Sequence, residues 1–183
     1  GAVVHAHLHA QQSGLEGACP PEEAGVYFGS GIGGIDTFCQ QYQVMMEKGP
    51  RRVSPFFIPA LIINMAGGLI AIKYNLQGIA VSSVTACATG NNAIGEAYRA
   101  IKHGYLTAAL AGGAEAAIVP LGLAGFSNMK ALSTEEDPQK ACVPFDARRS
   151  GFVMGEGAGA LVLEEYEHAK ARGARIFAEV CGY

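Results

Sequence analysis

The sequence predicts an α/β protein, a β-sheet layered with helices. Three observations carry that prediction. Short apolar segments rich in small and β-branched residues alternate along the chain with segments of helical period. Glycine reaches 25 of 183 residues and hydrophobic residues 50%, a composition suited to close helix–sheet packing rather than disorder. Val81–Thr85, extended by its branched side chains, runs straight into a helical pattern at Cys87.

Bulk properties exclude several classes. A net charge of −3 provides no global basic field for nucleic acid. The longest apolar run, Phe56 to Ile72, is interrupted by Pro59, Asn64 and Gly67–Gly68, too broken for a membrane span. No signal-peptide pattern is read. Cys19, Cys39, Cys87, Cys142 and Cys181 are scattered without a CxxC pair, against a disulfide framework or zinc site. A reducing cytoplasm is the expected setting, with no metal and no cofactor. The length suits one well-buried domain over residues 1–183. The chain opens inside an apparent helix without an initiator methionine, so a piece of a longer chain, incomplete at both ends, is expected.

In order, residues 2–13 read as a helix stopped by Ser13-Gly14. Its alternating His5, His7 and His9 spread around a helix, so a solvated face is preferred to a metal site. Ala24–Phe28 is a short strand, then Gly29-Ser-Gly31-Ile32-Gly33-Gly34 leads into a helix over Ile35–Lys48. That is a literal G-x-G-x-x-G between strand and helix. A dinucleotide site also needs an acidic residue closing a second strand about 20 residues on. Glu47 ends the helix instead, so the glycines read as a turn for close backbone approach.

Gly49–Pro55 is a loop carrying Arg51 and Arg52, and Leu61–Tyr74 reads as a helix packed on most sides. In the helix after Cys87, Ile94, Ala97, Tyr98 and Ile101 share a face and Gly104 is the stop. Thr107–Glu115 is a strand, and Pro120–Leu132 is irregular or briefly helical. Ser133–Lys140 and Val143–Gly151 are turns, and Phe152–Leu163 is a glycine-rich strand. Glu164–Arg172 is a helix stopped by Gly173, and Ile176–Tyr183 is strand-like.

Cys87 is the centre of the arrangement. A thiol at the first turn of a helix sits among unpaired N–H groups at the positive end of the dipole, a setting that favours the nucleophilic thiolate. The same N–H groups suit an oxyanion. On position alone the residue reads equally as a nucleophile or as a buried structural thiol.

Four stretches in this order resemble the β-ketoacyl-[acyl carrier protein] synthases, most closely the type II elongating enzymes of fatty-acid synthesis. They are Gly29–Gly34, Thr85-Ala-Cys-Ala-Thr-Gly90, Ala111-Gly-Gly-Ala-Glu115 and Pro144–Ala158. The likeness covers nearly the whole chain and implies the N-terminal half of a thiolase-like fold, normally a homodimer. By resemblance, Cys87 accepts an acyl chain from carrier-protein phosphopantetheine. Malonyl-carrier protein then loses CO₂, and its carbanion attacks the acyl-cysteine. Ile32, Phe57 and Phe126 are implied as acyl-chain neighbours, Phe57 across the dimer, although without the family each reads as ordinary core. Ser150 stands where the family usually carries an acidic residue, a departure not expected to alter the chemistry.

The family's two active-site histidines, its lysine and its gating loop belong to the second half of the enzyme. None of His5, His7, His9, His103 and His168 sits in such a histidine motif, and the family's first strand is also missing from the chain. Arg51, Arg52 and Lys130 are candidates for a local basic patch that docks acidic carrier protein. A non-catalytic carrier- or partner-docking half is the rival reading. A stand-alone cysteine hydrolase lacks a candidate base.

Overall fold

The computed structural model describes residues 10–183, which form two compact units. The first comprises residues up to Ile32, Ile62–Glu115 and Gly157–Tyr183; the second comprises Gly33–Leu61 and Ala116–Glu156. The expected helix over 2–13 is seen only in its last turn, stopped at Gly14 with φ +63°, and His5, His7 and His9 lie outside the described residues.

The first unit is built on a four-stranded mixed sheet. Strands β1 (Ala24–Gly29), β2 (Ala80–Val81), β3 (Ala108–Glu115) and β4 (Gly157–Glu164) lie in the order β2-β1-β3-β4. β1 pairs in parallel with β2 and β3, whereas β3 pairs with β4 antiparallel. Alternation of side chains sends Val26, Phe28 and Leu110 to one face, against Ile70 and Tyr74. Tyr27, Ala109 and Ala111 take the other face, against Ala93, Ala97 and Ala100. The predicted layered α/β architecture is therefore present, with a helix on each face.

Before those helices, the second unit supplies α1 (Ile35–Lys48), at the predicted boundaries, and the short α2 (Phe57–Leu61). The expected helix over Leu61–Tyr74 is divided: α2 ends at Leu61, and α3 (Met65–Tyr74) belongs to the first unit. α3 is also less enclosed than predicted. Only Gly67, Ile70 and Tyr74 are buried, and Ile72 is 79% exposed.

α4 (Thr89–Lys102) packs on the sheet through alanines. Its innermost line is Ala93, Ala97 and Ala100, while the predicted Ile94 and Ile101 flank the contact. Gly104 (φ +74°) stops the helix as expected, passing the Tyr105 N–H to the Ala100 carbonyl.

Three strand expectations need correction. Val81–Thr85 pairs only at Ala80–Val81, because the Ser82 hydroxyl, not a ladder N–H, serves the Phe28 carbonyl (2.6 Å). Phe152 does not begin β4. Its N–H goes to the Ala131 carbonyl (3.0 Å), beside a bridge to Leu132, and the strand begins at Gly157. Ile176–Tyr183 forms no strand; it follows α4 through side chains, with Tyr98 donating to the Cys181 carbonyl and Arg99 over the Tyr183 ring.

In the second unit, α5 (Pro120–Asn128) is regular where an irregular stretch was also allowed. The start of α1 lies hard against α2: a Cβ at Gly34 would be 2.4 Å from the Ala60 carbonyl oxygen. The unit's other details are polar. Ser150 bonds Ser133 Oγ and the Thr134 N–H, and Glu156 accepts from Ile118 N–H.

Helix α6 (Tyr166–Ala171) closes the first unit. Beside it the Glu164 carboxylate, 7% exposed, accepts from Arg172 Nε (2.7 Å) and Nη2 (2.6 Å) and lies 2.6 Å from His168 Nδ1. Arg172 also donates to the Ser13 and Gly14 carbonyls, tying the C-terminal helix to the N-terminal turn. Burial pushes the Glu164 carboxyl up, but the bonds from Arg172 and His168 outweigh burial and hold it below its ordinary value. Glu164→Gln should cost about 3 kcal/mol in urea unfolding near neutral pH, since it leaves the part-buried Arg172 cation without its counter-charge. A carboxyl lowered on folding contributes fully above its unfolded value, about 4.3, and loses that contribution as pH falls through the lower folded one. The stability gap between the wild type and the glutamine variant should therefore close in acid below about pH 4.

Candidate active site

Cys87 occupies the middle of a 3₁₀ turn, Ala86–Ala88, that leads directly into α4. The sequence placed it in the first turn of the helix; the α-helix proper begins two residues later. The thiol is exposed rather than buried.

Local geometry makes this turn unusual. Ala86 has φ +52°, a left-handed conformation that alanine adopts at a cost of about 1–3 kcal/mol. A strap from Thr89 holds it. The Thr89 hydroxyl donates to the Ala86 carbonyl (2.8 Å) and accepts from the Thr85 N–H (2.9 Å), and Thr89 is the one polar residue buried as a whole among the described residues. Thr85 in turn donates to Asn92 Oδ1 (2.7 Å). Sequence reasoning passed over Thr89, although a threonine two residues after the candidate nucleophile was a readable signal.

The turn rests against the ends of β1 and β3. A Cβ on Gly29 would lie 2.3 Å from the Ser83 carbonyl oxygen and 2.5 Å from the Thr89 methyl. On Gly31 it would lie 2.9 Å from Glu115 Oε2 and 3.2 Å from the Ala86 carbonyl oxygen. These are the close approaches for which the sequence required glycine. Glu115, at the end of β3, accepts from Ser30 Oγ (2.8 Å) on one oxygen and from the Gly31 (2.9 Å) and Ile32 (3.2 Å) N–H groups on the other. Consecutive N–H groups pointing one way form an anion nest. Here the chain's own carboxylate fills it, so the G-x-G-x-x-G turn is not open to a dinucleotide phosphate.

Other predicted residues are distributed between the units. Ile32 shares the first unit with Cys87 and is 38% exposed. Phe57, at the start of α2, and Phe126, in α5, are half-buried in the second unit. Phe126 meets Phe152 edge-on, with ring centroids 5.4 Å apart. Arg51 and Arg52 share one exposed 3₁₀ turn, Pro50–Arg52, and Lys130 is exposed in a left-handed conformation (φ +56°) just beyond α5.

Neither described histidine is at the Cys87 end of the sheet. His103 caps the opposite end of α4, about 20 Å along its axis. His168 is bound to Glu164, which pairs with Ala108 at the start of β3, the far end from Glu115. No group of three potential metal ligands occurs among the described residues, and no helix there is long and apolar enough to cross a membrane.

Residues 2–169 match the family model described as the N-terminal domain of beta-ketoacyl synthase. The chain is 56% identical over 160 residues to 3-oxoacyl-[acyl-carrier-protein] synthase 2 of Vibrio cholerae, covering 87% of this chain and 39% of that protein. A beta-ketoacyl synthase crystal structure from Burkholderia phymatum superposes with TM-score 0.82 at 37% identity, over 94% of this chain and 43% of that one. A ketosynthase of a type II polyketide system, in complex with its acyl-carrier protein and bound to a hexaketide, superposes with TM-score 0.82 at 31% identity, over 93% and 44%. The fold is thus the thiolase-like one of ketosynthases, and the chain spans about two fifths of the length of the curated relative it matches.

Cys87, Cys142 and Cys181 are all exposed, so access alone does not separate them. In folded protein at neutral pH, iodoacetamide followed by peptide mapping should show Cys87 reacting first. The margin expected from a helix end is roughly two- to fivefold, the rate equivalent of 0.3–1 kcal/mol. Faster labelling at Cys142 or Cys181 would contradict the nucleophile assignment.

Proposed function

The chain belongs to the β-ketoacyl synthase family, and from that premise we propose that it is the nucleophile-bearing part of a 3-oxoacyl-[acyl-carrier-protein] synthase of fatty-acid biosynthesis. The observation that carries the proposal is Cys87, exposed on a strapped, left-handed turn at the head of α4. Its sulfur attacks the thioester carbonyl of an acyl-carrier protein, forming a new C–S bond while the phosphopantetheine thiol departs with the proton. Malonyl-carrier protein then loses CO₂, and the resulting carbanion attacks the acyl carbon. The cysteine sulfur is released and a 3-oxoacyl-carrier protein leaves.

On this reading the 183 residues are one N-terminal domain of a longer, homodimeric and cytoplasmic enzyme. The free cysteines are in keeping with a reducing compartment, and the similar ketosynthase with a bound carrier protein supports that partner class. Ile32 is assigned to the acyl chain in the same unit as Cys87. For Phe57 and Phe126 the assignment rests on family likeness alone. Arg51, Arg52 and Lys130, all exposed, are assigned to acidic carrier protein.

Decarboxylation makes an enolate, whose charge needs preorganised donors worth roughly 3–4 kcal/mol each. The described histidines are at the wrong end of the sheet to supply them, so the donors come from the rest of the enzyme. The 183-residue chain alone should release no labelled CO₂ from malonyl-carrier protein, and release should appear when the remainder of the enzyme is supplied. Substantial release by the chain alone would overturn this division of labour.

Charge reversal at Arg51 and Arg52 in the whole enzyme should weaken carrier-protein binding, more at low salt than at high. Unchanged affinity at low ionic strength would remove both from the docking surface.

A further inference from the structure

We propose that Glu115 is a positioning residue for the nucleophile, holding the Ser30–Ile32 turn against the Ala86 carbonyl and so fixing where the Cys87 sulfur sits. The inference rests on reading Cys87 as the acylated residue. Glu115 is well placed for this. It closes β3, whose residues Ala108–Ala111 are fully buried, so the strand that carries it is anchored in the core of the first unit. Its carboxylate gathers three donors from three consecutive residues: the Ser30 hydroxyl and the Gly31 and Ile32 N–H groups. Bonds to an ionised acceptor are the stronger kind, and together they define the path of the turn.

The turn transmits that definition by contact. The Gly31 N–H is bonded to the carboxylate, and a Cβ on Gly31 would lie 2.9 Å from that carboxylate and 3.2 Å from the Ala86 carbonyl oxygen, so a side chain there would press on both. Ala86 is in a conformation that persists only where its surroundings over-determine it. Thr89 restrains it from the helix side. The Glu115-held turn restrains it from the sheet side. Cys87 is the next residue, so a shift of the Ala86 peptide moves the sulfur directly.

Removing the carboxylate should cost reactivity at Cys87 without changing substrate affinity. A nucleophile misplaced by about 1 Å loses up to a hundredfold in rate. In the full-length enzyme, Glu115→Ala should slow acylation of Cys87 by acyl-carrier protein at saturating substrate at least about tenfold, with KM little changed. Glu115→Gln keeps an oxygen for the two N–H groups and an amide for the Ser30 hydroxyl, and should recover most of the loss. In parallel, iodoacetamide labelling should show the Cys87 rate in Glu115→Ala falling to that of Cys142 and Cys181, which act as internal references.

A purely structural role would lower the melting temperature while leaving both Cys87 rates, per folded molecule, as in the wild type, and that result would overturn the proposal. If the alanine variant does not fold, the glutamine variant decides: its neutral bonds should leave a loss of about threefold, and wild-type rates at Cys87 would overturn the proposal. Failure of the wild-type enzyme to take up an acyl group at all would instead fall on the functional reading, and the labelling rates would still judge Glu115.

Discussion

Close backbone approach at one end of the sheet is the constraint on which the rest depends. At Gly29 there is no space for a single methyl group between β1, the Ser83 carbonyl and the Thr89 methyl. At Gly112 the same holds against the Gly159 carbonyl of β4, 2.1 Å from where a Cβ would be. Alanines extend this economy into the core, where Ala93, Ala97 and Ala100 of α4 meet Ala109 and Ala111 of the sheet. The consequence is geometrical. A helix seated this deeply brings its N-terminus to the carboxyl ends of β1 and β3, and the 3₁₀ turn bearing Cys87 is carried with it. Larger residues would strengthen the apolar contact and lift Cys87 away from the Ser30–Ile32 turn.

Elements whose partners are local were legible in the sequence. α1 appears at its predicted ends because its period and flanking glycines are all in one stretch. Gly14, Gly104 and Gly173 stop their segments in left-handed conformations for the same reason. What was not legible depends on distant residues. β2 stops where Ser82 follows Val81, and the Ser82 hydroxyl takes the Phe28 carbonyl 54 residues away. Ile176–Tyr183 has strand composition, but it joins no edge of the sheet and instead meets α4 through Tyr98 and Arg99. The split of Leu61–Tyr74 reflects two destinations in space, with α2 in one unit and α3 in the other.

The site shows the same division. The place of Cys87 at the head of a helix was legible, because a helix N-terminus is a local signal. The bonds made by the two residues that hold its surroundings were not legible. Thr89 looks like an ordinary helix-start threonine until its hydroxyl is seen bridging Thr85 and Ala86. Glu115 looks like a polar strand end until it is seen accepting from residues 30–32. The glycine motif was read correctly as a turn for lack of a second acidic strand. The structure supplies a more direct reason: an anion site already occupied by a carboxylate has no use for a phosphate.

Charge placement then separates the two ends of the first unit. At the carboxyl ends of β1 and β3, Glu115 is committed to backbone and hydroxyl donors of the chain itself. At the opposite end, Glu164, Arg172 and His168 form a half-buried cluster that joins the last helix to the Ser13–Gly14 turn. Both carboxylates are satisfied, yet they differ in what they hold. Glu164 joins segments far apart in sequence, so its contribution is to stability. Glu115 joins a strand end to a loop that lies beside the Ala86 carbonyl, one residue before Cys87, so what it holds is the path of that loop. A sheet can divide the two tasks in this way because its ends lie about 25 Å apart along an eight-residue strand. The ion cluster of Glu164, Arg172 and His168 can therefore join distant segments at one end while the Cys87 turn is held at the other by Thr89 and Glu115.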